Sequence, residues 1–187
     1  RPATGRMSVV ASGSVLVGQP DAVQVDSAVV TTEALTIGEL ALGRGTLRAS
    51  LRDRALSAGA EFPEARMSAT ASGRLAPGGT LAVTVRAGNV QVAPLARRWA
   101  PEGLGRVDGA VTLAAELAVP VTDPRRATGR AQLDPVAITL AGEEWRGVVL
   151  LRREPDRVSV ERLNFTSRLG AVTASGASPR GAPTSLA

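Results

Sequence analysis

The feature that most constrains this chain is a two-residue rhythm that no helix can sustain. In "GRVDGAVTLAAELAVPVTDPRRATGRAQL" (105–133), Val107, Gly109, Val111, Leu113, Ala115, Leu117 and Val119 share one parity, while Asp108, Thr112 and Glu116 share the other. Residues two apart lie on one face of a strand, whereas a helix would need its apolar residues three and four apart. The period therefore overrides the helix propensity of the many alanines. A break at Pro120 and Asp123-Pro124 then ends the run, and alternation restarts beyond it.

The same rhythm recurs over 6–17, 21–31, 33–42, 45–56, 65–75, 80–95, 136–153, 157–167 and 170–176. Turn chemistry separates these stretches: "GQPD", "PGG", "AGN", "AGEE" and "EPDR". Asp123-Pro124 and Asp134-Pro135 read as strand-end punctuation, and Asp53 between Arg52 and Arg54 as a solvated hairpin. Only "PLARRWAPE" (94–102) predicts a short helix, near 94–100, opened by Pro94, ended by Pro101 and anchored on the sheet by Trp99. Ala-Thr-Gly-Arg occurs at 3–6 and 127–130, and Ala-Ser-Gly closes strands at 11–13, 71–73 and 174–176. The intervals are unequal, which suits loosely repeated hairpin units better than a fixed-period solenoid. The expected class is all-β.

Composition closes off most chemistry. Apolar residues are 44% of the chain, enough to form a core. There is no His and no Cys, so no ordinary zinc site, no Ser-His or Cys-His pair and no disulfide can be built. Glu143-Glu144 are adjacent carboxylates that would point to opposite faces of a strand and could not flank one substrate; a turn is expected there. "GLGRVDG" (103–109) lacks both the phosphate-loop Lys and the dinucleotide spacing. "NFT" (164–166) fits a glycosylation acceptor, but its strand position argues against use. The reading is a protein that is not an enzyme and needs no metal or cofactor.

Partners follow from charge and shape. Every one of the 22 basic residues is Arg, and the net charge is +5. A GC-rich genome accounts for this most simply, and attraction to anionic headgroups is the functional alternative. Aromatics are only 2% (Phe62, Trp99, Trp145 and Phe165), so there is no stacking platform and nucleic acid is not an expected partner. No run approaches the ~20 apolar residues that a membrane-spanning helix needs. "RPATGRMSVV" reads as the interior of a longer chain, so missing targeting signals carry no weight.

One succession of segments is distinctive: "PLARRWAPEGLGRVDGAVTL", "TDPRRATGRAQL", "VAITLAGEEWRGVVL" and "RVSVERLNFTSRLGAVTASG". A short Pro-flanked helix leads into Gly-x-Val-x-Gly-x-Val-x-Leu, an Asp-Pro turn, Val-x-Ile-x-Leu, and a strand pair ending Ala-Ser-Gly. This resembles the repeated region of the AsmA-like superfamily, in particular the TamB (translocation and assembly module) family, best over 94–176. The chain departs from it in carrying Val119-Pro120 where the family often has Gly before the Asp-Pro turn. The resemblance implies an elongated, curved sheet forming an open hydrophobic trough over 1–177, with 178–187 a flexible tail. It further implies a periplasmic location, an inner-membrane anchor on the parent chain, phospholipid transport, and an outer-membrane β-barrel protein as a possible partner of that chain.

The residues support a trough in their own right. Slim Val, Leu and Ala side chains struggle to fill an interior, and each methylene removed from water gains ~0.8 kcal/mol without any polar site. The candidate lining for phospholipid acyl chains is Leu81, Val83, Val85, Val107, Val111, Leu113, Leu117, Val119, Val136, Ile138 and Leu140. Phase changes at Pro135 and Arg162 leave the inner face open there. The alternatives are a closed sandwich with a packed core, or a structural or adhesive β-rich surface domain without lipid.

Overall fold

The computed structural model describes residues 3–15, 23–37, 40–93, 107–140 and 142–179. Eleven strands follow in chain order: β1 (Ala3–Val15), β2 (Val23–Ile37), β3 (Leu40–Arg52), β4 (Ala55–Phe62), β5 (Met67–Arg74), β6 (Thr80–Gln91), β7 (Val107–Pro120), β8 (Thr128–Leu140), β9 (Glu143–Glu154), β10 (Arg157–Ser167) and β11 (Gly170–Pro179). A single 3-10 turn, Pro124–Arg126, joins β7 to β8. All eleven strands belong to one open sheet whose spatial order is the chain order. The class is all-β, as the alternation requires. Each described register is antiparallel, so nothing in them calls for mixed pairing.

Several boundaries differ from the sequence expectation. The stretch 45–56 spans two strands, joined by the hairpin expected at Asp53: Asp53 and Arg54, both at positive φ, form the two-residue turn between β3 and β4. Paired positive φ angles match the right-handed twist of the flanking strands. Asp134-Pro135 is not a strand end but lies inside β8, where the register shifts between Leu133 and Val136. Glu143-Glu144 is not a turn but the start of β9, and "AGN" lies within β6, with Asn89 at positive φ. Ser178 and Pro179, expected in the loose tail, pair with Val158 and Arg157 at the end of β11. The expected helix near 94–100, with Trp99, and residues 180–187 lie outside the described residues.

The chain divides into two compact units, Arg1–Arg86 with Leu117–Pro124, and Ala87–Glu116 with Arg125–Ala187. Both β6 and β7 contribute to each unit.

In the first unit the registers stack apolar residues into rows that cross the strands. One row runs Ala11, Ala28, Ala49, Ala58, Ala71 from β1 to β5. Its neighbours are Val9, Val30, Leu47, Ala60, Ala69 on one side and Gly13, Val25, Leu51, Leu56, Gly73 on the other. Directly opposed residues share a face, so these three rows form one apolar surface. The other face of β3 presents Arg48 and Arg52 to solvent.

The second unit repeats the pattern. Leu133, Val149, Leu163 and Ala174 form one row from β8 to β11, and Val136, Gly147, Phe165 and Val172 the next. Bulges keep this face continuous. The extra residue at Asp134-Pro135 returns Val136 and Ile138 to the side of Ala131 and Leu133, and the extra residue near Glu161 returns Leu163 and Phe165 to the side of Val160. The phase changes seen in the sequence are therefore bulges and not a swap of inner and outer faces.

The only two Phe residues serve the same purpose in the two units. The Phe62 ring lies over Gly45, and the Phe165 ring lies against Gly147, which is its direct cross-strand partner. A Cβ on Gly45 would run into the ring, and one on Gly147 would meet the Asn164 backbone carbonyl first and the ring next. Phe62 is 4% exposed, making it one of the few well-buried side chains. Phe62→Ala is expected to cost ~3 kcal/mol from lost burial. Gly45→Ala is expected to cost ~1–3 kcal/mol by displacing the ring. Urea unfolding of the two variants measures both.

Candidate apolar binding surface

Above the alanine row of the first unit the sheet is hollow. A depression of about 280 Å³ is lined by Ala28, Val30, Leu47, Ala49, Ala58, Ala60, Ala69, Ala71 and Val83, with Arg48, Gly59 and Thr70. Its exposed lining is almost wholly apolar. The geometry follows from the registers: where alanines face alanines on four adjacent strands, every side chain in the row stops at Cβ. Flanking rows of the same face lie ~6.8 Å away along the strands, and the row from β1 to β5 extends ~19 Å at ~4.8 Å per strand. A second hollow of about 310 Å³, lined by Val23, Leu51, Arg54, Leu75 and Pro77, lies at the strand ends beyond it.

The apolar face is half-buried and not sealed. Among the described residues only Leu42, Phe62, Ala87, Val111, Ala127 and Val136 are buried apolar residues, and no side chain falls below 2% exposure. A packed interior would leave several side chains with no exposure at all. The edge strand β1 is open along its described side chains, with Met7 at 69% and Val9 at 57%.

The residues expected to line a lipid path are divided between the units. Leu81, Val83 and Val85 alternate on the half-buried side of β6, and Val83 lines the hollow. Leu117 and Val119 also belong to the first unit and are half-buried. In the second unit Val111 and Val136 are buried, at 7% and 4% exposure, while Leu113, Ile138 and Leu140 remain half-buried. Ile138 faces Trp145 across the β8–β9 pair. Val107 opens β7, and its side chain lies outside the described residues.

Sequence reasoning missed the alanines that make the floor. They already stood at alternate positions, Ala69 and Ala71 for example, but the search for a lining favoured larger side chains. β4 escaped notice altogether, because "ALSAGAEF" carries little hydrophobicity apart from Leu56 and Phe62.

The charges sit on the opposite face and at the strand ends. Glu161 pairs with Arg130 and Arg152, and Glu154 with Arg152 and Arg157, giving a chain of ion pairs across β8, β9 and β10. The hydrogen bond from Arg157 holds the Glu154 carboxyl below the usual carboxylate range. Glu143 pairs with Arg168, and Glu144 with Arg146. Among the described residues no group of His, Cys, Asp or Glu could hold a metal ion, and no helix is long and apolar enough to cross a membrane. The chain matches no family model, no curated protein and no solved structure.

The hollow predicts an unusual response to added bulk. In a filled core, Ala→Leu overpacks and costs ~1–3 kcal/mol. Ala58→Leu, with open space above it, should destabilise by no more than ~1 kcal/mol, because its added carbons extend into the depression and each one that becomes covered gains ~0.8 kcal/mol. Ala87→Leu, at a position 5% exposed, should carry the full overpacking cost of ~1–3 kcal/mol. Chemical denaturation of the two variants compares them directly. Because the Glu154 carboxyl is depressed in the folded state, its contribution is present above the ordinary carboxylate pKa and fades as pH falls through the lowered value. Glu154→Gln should remove that acid-side dependence from a stability-against-pH profile.

Proposed function

We propose that this chain is a non-enzymatic, lipid-binding segment of an AsmA-like protein of the TamB type. In this reading it is periplasmic, and its parent chain is anchored in the inner membrane. Phospholipid acyl chains lie on the apolar face, and the parent chain supports phospholipid transport and outer-membrane assembly, with an outer-membrane β-barrel protein as partner. The alanine-floored hollow of the first unit is the observation that carries the reading. It offers apolar surface that the protein's own side chains do not fill, which is what a tail of methylenes requires. The half-exposed apolar faces of both units add to it, since a contiguous greasy surface on a folded protein marks a binding site more often than a packing fault.

A structural or adhesive role without lipid is the second reading. The exposed strand β1 favours it, because a long strand with Arg6 as its sole charge is a ready template for pairing with another strand.

Native mass spectrometry of protein purified from cells, followed by lipid extraction, separates the two. Wild-type protein is expected to carry phospholipid. Ala58→Arg, which places a charge on the floor of the hollow, should lower the bound lipid roughly tenfold or more, because burying an unpaired charge under an acyl chain costs several kcal/mol. Leu113→Arg and Ile138→Arg test the second unit in the same way. A wild-type protein free of lipid, with variants altered only in stability, would overturn the lipid reading and leave the structural one.

A further inference from the structure

We infer that the second unit selects amphiphiles with an anionic head, and that Arg153 is the residue that receives it. The inference rests on the lipid reading above and extends it from the tail to the head. Arg153 is placed on the apolar face and not on the charged one. It stands directly opposite Gly129 on β8 and Val158 on β10, two residues beyond Leu151, which faces Ala131 and Val160. The step from Leu151 to Arg153 is ~6.8 Å along the strand, so the guanidinium marks the end of the apolar surface, within reach of the head of a molecule whose tail lies on it.

The guanidinium is held in place. Its Nε donates to the Ala127 carbonyl at 3.0 Å, and its Nη2 donates to the Arg125 carbonyl at 3.0 Å. These two bonds fix the plane of the group against the β7–β8 connection. A guanidinium has five N–H donors in a rigid fork, so three remain for an acceptor. Carbonyl oxygens orient the cation without neutralising it.

Among the described residues none of the ion pairs involves Arg153. The carboxylate next to it in sequence, Glu154, engages Arg157 and Arg152 on the other face, and Glu161 engages Arg130 and Arg152. At the opposite ends of these strands the charges are matched, Glu143 with Arg168 and Glu144 with Arg146. The second unit therefore carries a half-buried, oriented cation where the apolar face ends. A phosphate or carboxylate head would form charge-assisted hydrogen bonds there.

Decyl phosphate, 1-decanol and inorganic phosphate, each titrated calorimetrically into delipidated full chain, test this. Decyl phosphate is expected to bind about tenfold tighter than decanol at low salt, and Arg153→Gln to abolish that margin while leaving decanol binding intact. Should Arg153→Gln fail to fold, two wild-type measurements decide. The margin should shrink in 0.5 M sodium chloride, as exposed charge attraction is screened over ~3–10 Å, and the Arg153 Nε–Hε resonance should shift with decyl phosphate but not with decanol. Equal affinity for both amphiphiles, or a folded Arg153→Gln that keeps the margin, overturns the inference and leaves the tail reading standing. Inorganic phosphate binding as tightly as decyl phosphate also overturns it, by showing a free-anion site. Failure of both amphiphiles to bind overturns the lipid reading itself.

Discussion

Backbone pairing between neighbouring strands is the interaction on which everything else rests. With one sheet and no fully buried side chain among the described residues, the ladders of N–H and C=O groups, more than deep apolar burial, hold each unit in shape. Interior strands satisfy their backbone on both sides, so the cost of unpaired polar groups is confined to the edges. The apolar rows then contribute what a half-covered surface can. That arrangement is stable enough to persist and loose enough to leave hydrocarbon exposed, and both properties come from the same slim side chains.

The two units use one plan with different fillings. In each, a Phe is set over a cross-strand glycine, which substitutes a large ring for the side chain that the glycine lacks. In the first unit one row beyond that ring is alanine throughout, and the surface sinks there. In the second the corresponding rows hold Leu133, Val149, Leu151 and Leu163, with Trp145 facing Ile138. The depression is thus a matter of a few carbon atoms per position, repeated in register.

The period of two was enough to reach the all-β class, and turn residues located most hairpins. Where the reading failed, the failures have physical causes. Asp134-Pro135 looks like a strand end, since Pro normally removes a ladder bond, yet a bulge accommodates it inside β8. The alanine floor could not be singled out because its character lies in the registers: Ala28, Ala49, Ala58 and Ala71 are ordinary in sequence and form a row only once four strands are aligned. Arg153 was invisible for a similar reason. One arginine among 22 differs from the others only through the face it occupies and the two carbonyls that hold it.

A sheet whose strands lie side by side in the order of synthesis has few long-distance closures to make. Each strand can dock as soon as its predecessor is in place, so assembly proceeds by successive zippering, a regime in which loop entropy stays small at every step. It also makes the hairpin a natural unit of change. Because direction reverses at each strand, gain or loss of two adjacent strands leaves every remaining strand with its polarity and its inner face. Such a chain can lengthen or shorten over evolution without being rethreaded.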